Sequence, residues 1–177
     1  MAIAITNDTE AEQDLVAVLL DAHVRARAVL ESGLRMLESE TTDQLIVIDV
    51  AATVHRFLTF TNPQHELDEE QMIFPALRAA GHPEEVEPAL AHIVEAHMVF
   101  DTRRDELAKR WERVTQEPGC LRKERDDLFT ATEKLAHALD LHRRHEDADI
   151  FPLIRKYVPA ETQARILAVL SRREARP

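Results

Sequence analysis

His65-Glu66-Leu67-Asp68-Glu69-Glu70-Gln71-Met72-Ile73-Phe74-Pro75 returns, 142 − 65 = 77 residues later, as His142-Arg143-Arg144-His145-Glu146-Asp147-Ala148-Asp149-Ile150-Phe151-Pro152. Both stretches read His, three residues, Glu, an acidic residue, two residues, then Ile-Phe-Pro. A match of that length points to an internal repeat rather than to chance. Helix geometry gives the spacing its meaning: residues i and i+4 share one face, about 6 Å apart along the axis. His65 and Glu69 therefore point the same way, as do His142 and Glu146.

Working outward, each motif has a companion. Ala22-His23 lies upstream of the first and Ala96-His97 upstream of the second, 97 − 23 = 74 residues apart. The chain reads as two helical hairpins, each contributing one lone histidine and one His-x-x-x-Glu pair. Folding the hairpins face to face gathers four imidazoles and two carboxylates at mid-core. Unpaired buried carboxylates are costly. A buried ion-pair network is one way to satisfy them. Two divalent ions, each taking two imidazoles and a share of both carboxylates, do so more completely. Nitrogen and oxygen donors without thiolate suit iron, manganese or zinc, and spacing does not choose among them.

The rest of the sequence agrees with an all-α fold. Glycine is scarce, at 3 of 177 residues, which disfavours tight hairpins and favours helices. Apolar periodicity and helix breakers mark four long helices, at about 9–38, 43–79, 83–115 and 121–157, and a short fifth at about 160–173. Thr41, Thr42 and Asp43 offer a cap for the second helix. Gly81 with Pro83, Pro118 with Gly119, and Pro159 supply the breaks. Pro63 falls inside the second helix and predicts a kink or local unwinding before His65, or two helices meeting at Asn62-Pro63. Short connections imply an antiparallel up-down four-helix bundle, with its core over about 9–157, as a single domain spanning 1–177.

Composition excludes several functions. The net charge of −11 repels nucleic-acid phosphates and anionic lipid surfaces alike. No apolar run approaches the roughly 20 residues that span a bilayer. The polar start, Met1 to Asp8, is unlike a signal peptide, so the cytoplasm is the expected address. The single cysteine, Cys120, allows neither an internal disulfide nor a thiolate cluster. His-Glu-x-x-His, Gly-x-Ser-x-Gly and glycine-rich phosphate loops are absent, as is Glu-x-x-His ahead of every histidine.

Each candidate also has a plainer reading. The His-x-x-x-Glu pairs read as exposed i,i+4 contacts, and His23 and His97 as ordinary core histidines; the repeat weighs against both. Met72 reads as core packing. Asp149 reads as solvated or as a support for a ligand, and His145 as a surface residue or a donor behind the site. His55, His82, His92 and His137 read as non-ligands.

With these motifs the chain resembles the hemerythrin-like, or HHE cation-binding, family over about Leu15 to Tyr157. The resemblance implies a four-helix bundle with a non-haem di-iron centre. His23, His65, His97 and His142 then become iron ligands, and Glu69 and Glu146 carboxylate bridges, joined by an oxo or hydroxo group. Asp147 is the alternative to Glu146, because the oxygen-carrying members use His-x-x-x-x-Asp on the fourth helix. Those members also carry two histidines four apart on the third helix. Here Ile93 stands four before His97 and Asp101 four after it. The departure argues against reversible oxygen carriage. It leaves a small ligand (O2, H2O2 or NO) as the expected partner, with catalase-like peroxide disproportionation as the leading activity. A sensing or storage module for O2, NO or iron is the alternative, and a metal-free structural bundle the third reading.

Overall fold

The computed structural model of the chain describes residues 14–39, 41, 43–81 and 83–174. The expected helix start near Thr9, the Thr42 part of the cap and His82 lie outside the described residues. Five helices are present among the described residues: α1 (Leu15–Glu38), α2 (Gln44–Ala80), α3 (Pro83–Gln116), α4 (residues 121–157) and α5 (Ala160–Glu174). A 3-10 turn, Pro118–Cys120, joins α3 to α4. There is no strand among the described residues.

Short polar side chains start the first two helices. Asp14 Oδ1 accepts from the Val16 amide at 3.2 Å, and Asp43 Oδ1 accepts from the Leu45 amide at 3.0 Å. Each satisfies an amide that the first turn leaves without a helical partner. Gly81 closes α2, where an added Cβ would sit 2.5 Å from Val86 Cγ2, so a side chain there would push α3 away.

In the bundle, α1 packs beside α2 and α4, and α3 packs beside the same two, which is the antiparallel ring expected of short connections. Two hydrophobic clusters fill it. One holds Leu30, Val54, Phe57, Trp111, Leu128 and Leu139 towards the Pro118 end. The other holds Leu15, Leu19, Phe74, Leu90, Ile93 and Phe151 towards the Gly81 end, where Ile166 and Leu170 of α5 join it. Trp111 is fully buried and donates from Nε1 to Thr132 Oγ1 at 3.2 Å, so its polar edge is satisfied inside the core. The gap between the clusters falls at residues 20–29, 59–72, 94–99 and 140–149. Those four segments hold every expected ligand.

Pro63 does not break α2. The helix widens instead, into a π turn over Phe57–Thr61, with the Asn62 amide donating to the Phe57 carbonyl five residues back. The same device recurs in both motifs. Glu69–Ile73 and Glu146–Ile150 are π turns, closed by Phe74 N–H to Glu69 O and Phe151 N–H to Glu146 O. Each π turn ends two residues before a proline, at 63, 75 and 152. A proline ring in a helix collides with the carbonyl four residues back and cannot donate to it. Inserting one residue into the preceding turn moves that carbonyl aside, so the helix continues. The expected kink or unwinding is thus corrected to a local widening within one continuous helix.

Contrary to the sequence-based expectation, α2 is long and apolar enough to pass as a membrane span by length and composition, with a window of mean hydropathy 1.2. The same helix buries Asn62, Glu66, Asp68 and Glu69 against its neighbours. Those four polar side chains are what fits it to the bundle interior.

Candidate metal centre

Six side chains meet in the gap between the clusters. His23, Glu69, His97, His142 and Glu146 are all buried. His65 is the least covered, with 21% of its side chain exposed. They form two groups. In the first hairpin His23 Nε2 lies 3.2 Å from His65 Nε2; in the second His97 Nε2 lies 3.0 Å from His142 Nε2.

The carboxylates tie the groups together. Glu146 Oε2 is 3.2 Å from His23 Nε2, while its Oε1 is 2.9 Å from His142 Nε2 and 3.9 Å from His97 Nε2. Glu69 Oε1 is 3.1 Å from His65 Nε2, and its Oε2 is 3.7 Å from His97 Nε2. Each glutamate therefore gives one oxygen to the histidines of its own hairpin and the other to the opposite hairpin. Glu146 belongs to both groups, whereas Glu69 belongs to the first and reaches only His97 of the second.

The second acidic residue of each motif has a different place. Asp147 Oδ1 accepts from His23 Nδ1 at 3.0 Å, and Glu70 Oε1 accepts from His97 Nδ1 at 2.8 Å. Both contacts cross between hairpins, α4 to α1 and α2 to α3. A carboxylate only accepts, so these contacts require an N–H at Nδ1 of His23 and His97 and leave Nε2 of each ring as the inward-facing nitrogen. Asp147, the alternative to Glu146, stands behind His23 rather than among the inward-facing donors.

This arrangement fits metal ions. Two inward nitrogen lone pairs at 3.0–3.2 Å repel each other unless a proton or a cation lies between them. Donors bound at about 2.1 Å and at right angles around one ion sit about 3 Å apart. Glu69 Oε2 and both Glu146 oxygens are buried without a hydrogen bond, although imidazole nitrogens stand close. The nitrogens approach at short range without aiming an N–H along the contact. Buried carboxyl oxygens left without a hydrogen bond are groups that a bound cation satisfies. Two His/Glu groups of metal-binding compactness result: His23, His65, Glu69 and Glu146, and His97, His142 and Glu146.

Without metal the site is electrostatically uneven. Burial, together with the charge of Glu146, holds the Glu69 carboxyl well above its usual range. Burial acts the same way on Glu146, but His142, His23 and His97 outweigh it and hold that carboxyl well below. Burial lowers His65 even though part of its ring reaches solvent. Burial also pulls His97 down, yet its contacts with Glu146 and Glu70 and the Glu69 charge lift it to about 9.

Aromatic rings fix the imidazoles from outside. Phe151 stacks on His23, Phe74 on His97, and Phe100 meets His142 edge-on. Phe74 and Phe151 are the phenylalanines of the two Ile-Phe-Pro tails, which explains their place in the repeat. Towards the Trp111 cluster lies a polar layer that the motifs do not reveal. Asn62 Nδ2 and Arg104 Nη1 each donate to Glu66 at 2.6 Å, and Arg143 Nη2 donates to Asn62 Oδ1 at 3.3 Å. All four side chains are buried. Sequence carries no signal for this layer beyond helical phase, since Glu66, Arg104 and Arg143 resemble surface charges.

Other candidates stand apart. Ile93 is fully buried in the Gly81-end cluster, and Asp101 is exposed and paired with Arg104, so neither adds an imidazole on α3. Met72 packs against the core. Asp149 and His145 are exposed. Tyr157 donates to Glu85 Oε2 at 2.8 Å, at the end of α4 and away from the six. Cys120 sits half-buried in the 3-10 turn, with burial raising its thiol pKa.

The hydrogen bonds behind His23 and His97 lead to a prediction. Asp147→Asn and Glu70→Gln each keep the shape but weaken the charge that holds one ring, and each is expected to lower metal affinity about 10–100-fold. Competition against a chelator measures this. Equal affinities in wild type and both variants would deny these residues an orienting role.

The family model for the hemerythrin HHE cation-binding domain matches residues 14–154. A search of curated proteins finds no match. The matched stretch starts at the Asp14 cap and ends within α4, so α5 lies beyond it.

Proposed function

Because the chain belongs to the hemerythrin HHE cation-binding domain family, we propose that it is a non-haem di-iron protein that binds or reacts with O2, H2O2 or NO. The observation that carries this reading is the pairing of two imidazole groups through the shared carboxylate Glu146, with Glu69 reaching from the first group towards His97. His23 and His65 would hold one ion, His97 and His142 the other, with Glu69 and Glu146 between them. Six protein side chains leave positions on two ions for water, hydroxide and one small ligand. Iron there supplies Lewis acidity and one-electron changes at each of two adjacent ions.

The chain's own residues favour small, largely uncharged ligands. Leu19, Ile93, Leu139, Phe74 and Phe151 are buried around the site. His65 gives the least covered approach to it. Ile93 stands where an oxygen carrier would have a second α3 histidine, which leaves one ion short of a protein ligand and more open to reaction. Peroxide disproportionation is our leading activity. One H2O2 is reduced to two waters as another is oxidised to O2, so protons and electrons balance without an outside reductant.

The test uses protein purified from iron-supplied cells. About two irons per chain and a ligand-to-iron charge-transfer band are expected, with the band lost in His65→Ala. Oxygen evolution from peroxide that also disappears in this variant supports the catalase-like activity. Ligand-dependent spectra with O2 or NO, and no turnover, would replace it with the sensing or storage reading. Absence of iron, or iron unchanged in the variant, would overturn the di-iron assignment.

A further inference from the structure

The polar layer beside the metal centre opens to solvent between α1 and α4. A cavity of about 250 Å³ lies there, lined by Arg27, Leu30, Glu31, Ala136, Asp140 and Arg143. Arg143 is only 6% exposed, so its guanidinium belongs to the interior. Its Nη2 donates to Asn62 Oδ1 at 3.3 Å. Among the described residues that is its one hydrogen bond, and no carboxylate pairs with it. Nε and Nη1 donate to no protein group, yet neither is sealed inside the protein as Arg104 Nε is. The cavity that Arg143 lines is where they reach solvent.

Charge makes the arrangement one-sided. Asp140 is already shared by Arg27 and Arg144, and Glu31 pairs with Arg35. Both carboxylates of the cavity wall are thus taken, and positive charge is left over in a chain whose net charge is −11. Glu146 and Glu69 attract Arg143 from the metal layer without forming an ion pair with it, and a cation held between them would cancel that attraction. A guanidinium stays charged in a protein, and burying one without a counter-charge is costly. Water can accept its N–H groups but does not offset its charge. Asn62 takes one N–H of Nη2. The other N–H of Nη2 runs parallel to its neighbour on Nε or Nη1, so one two-pronged edge of the guanidinium stays free. That edge matches two oxygens of a planar oxyanion.

We propose that the α1–α4 cavity is an anion seat, separate from the metal centre, where Arg143 holds one small planar oxyanion of the bicarbonate or nitrate type. Two oxygens of the anion take the free edge of the guanidinium, and its charge offsets that of Arg143. Leu30 and Ala136 supply the apolar part of the wall. Chloride, with no pair of oxygens to span the edge, fits the seat less well. The seat uses none of the six candidate metal ligands, so it stands independently of what they hold.

The experiment is isothermal titration calorimetry of sodium nitrate into the iron-loaded full chain at constant ionic strength, with visible absorption followed in parallel. Nitrate is a weak ligand for iron, so it reports on the seat. Wild type is expected to bind one nitrate per chain, with bicarbonate competing for the same place and the visible band unchanged. Arg143→Met is expected to weaken binding about tenfold or more, and Arg143→Lys, which keeps the charge without the fork, to fall between it and wild type. Ala136→Phe fills the cavity and leaves the guanidinium in place. It should weaken binding by a similar factor while iron content and far-ultraviolet circular dichroism stay as in wild type. No nitrate uptake by wild type, or equal uptake in wild type, Arg143→Met and Ala136→Phe, overturns the proposal. So does chloride binding as tightly as nitrate, or a band that shifts in step with uptake, which would place the nitrate on iron. A wild type that takes up nitrate but holds no iron would overturn the di-iron reading and leave the seat standing.

Discussion

Glu146→Ala is expected to empty both halves of the interior centre at once. Glu146 is the side chain with an oxygen within 3.2 Å of an imidazole in each hairpin, His142 at 2.9 Å and His23 at 3.2 Å. Its removal leaves four imidazoles with one carboxylate between them. Neither ion then keeps more than three protein donors, and the negative charge facing two divalent ions is halved. Losses from residues behind a ligand run to about 10–100-fold in affinity. Loss of a shared ligand should exceed about 100-fold for both ions together. Iron content is expected to fall from about two per chain to a trace, and the charge-transfer band to vanish. Glu146→Gln keeps the size and shape of the side chain but not its charge, so it separates coordination from fold. Far-ultraviolet circular dichroism should stay helical for Glu146→Gln. A Glu146→Gln protein that still holds both irons with the wild-type band would show that Glu146 is not a bridge.

The motifs told more about this site than about its surroundings. His-x-x-x-Glu repeated at 77 residues placed His65, Glu69, His142 and Glu146 on inward faces, and the lone histidines at 23 and 97 followed from the hairpin symmetry. Local geometry suffices there, because the i,i+4 rule acts within one helix. Glu70 and Asp147 show where it stops sufficing. Each is adjacent in sequence to a buried glutamate of its own hairpin but serves a histidine of the other, so its role depends on how the hairpins dock. Pro63 was misread for a different reason. Proline forbids one regular α turn, and the rule does not say whether the chain breaks or widens. Here the inserted residue costs little, since the packed faces on either side of the turn hold α2 in place. Glu66, Arg104 and Arg143 were illegible because a charged residue looks the same in sequence whether water or another buried charge receives it.

Metal removal is expected to leave a protein whose stability falls as pH rises from about 6.5 to 9, whereas the metal-loaded protein does not show this fall. His97 is the source. In the metal-free chain its pKa stands at about 9 against 6.5 for a free imidazole, because its carboxylate neighbours outweigh burial. A folded-state pKa raised in this way contributes stability that is fully present below 6.5 and disappears as pH climbs through 9. The interval corresponds to about 3 kcal/mol, a large share of a typical domain's total. Glu69 acts in the same direction, since a carboxyl raised by burial and by Glu146 must ionise at a cost as pH increases. Metal reverses the dependence. Ligation requires the Nε2 lone pair of His97 and an ionised Glu69, so binding releases protons and tightens as pH rises. Urea unfolding at pH 6.5, 7.5, 8.5 and 9 measures both curves. The chelated protein should lose stability across the series, and the gap between loaded and chelated protein should widen. Metal-free His97→Gln should flatten the lower curve, because it removes the titrating group. Parallel curves with and without metal would sink the idea that ions occupy this layer, and an unchanged slope in His97→Gln would assign the pH dependence to another group.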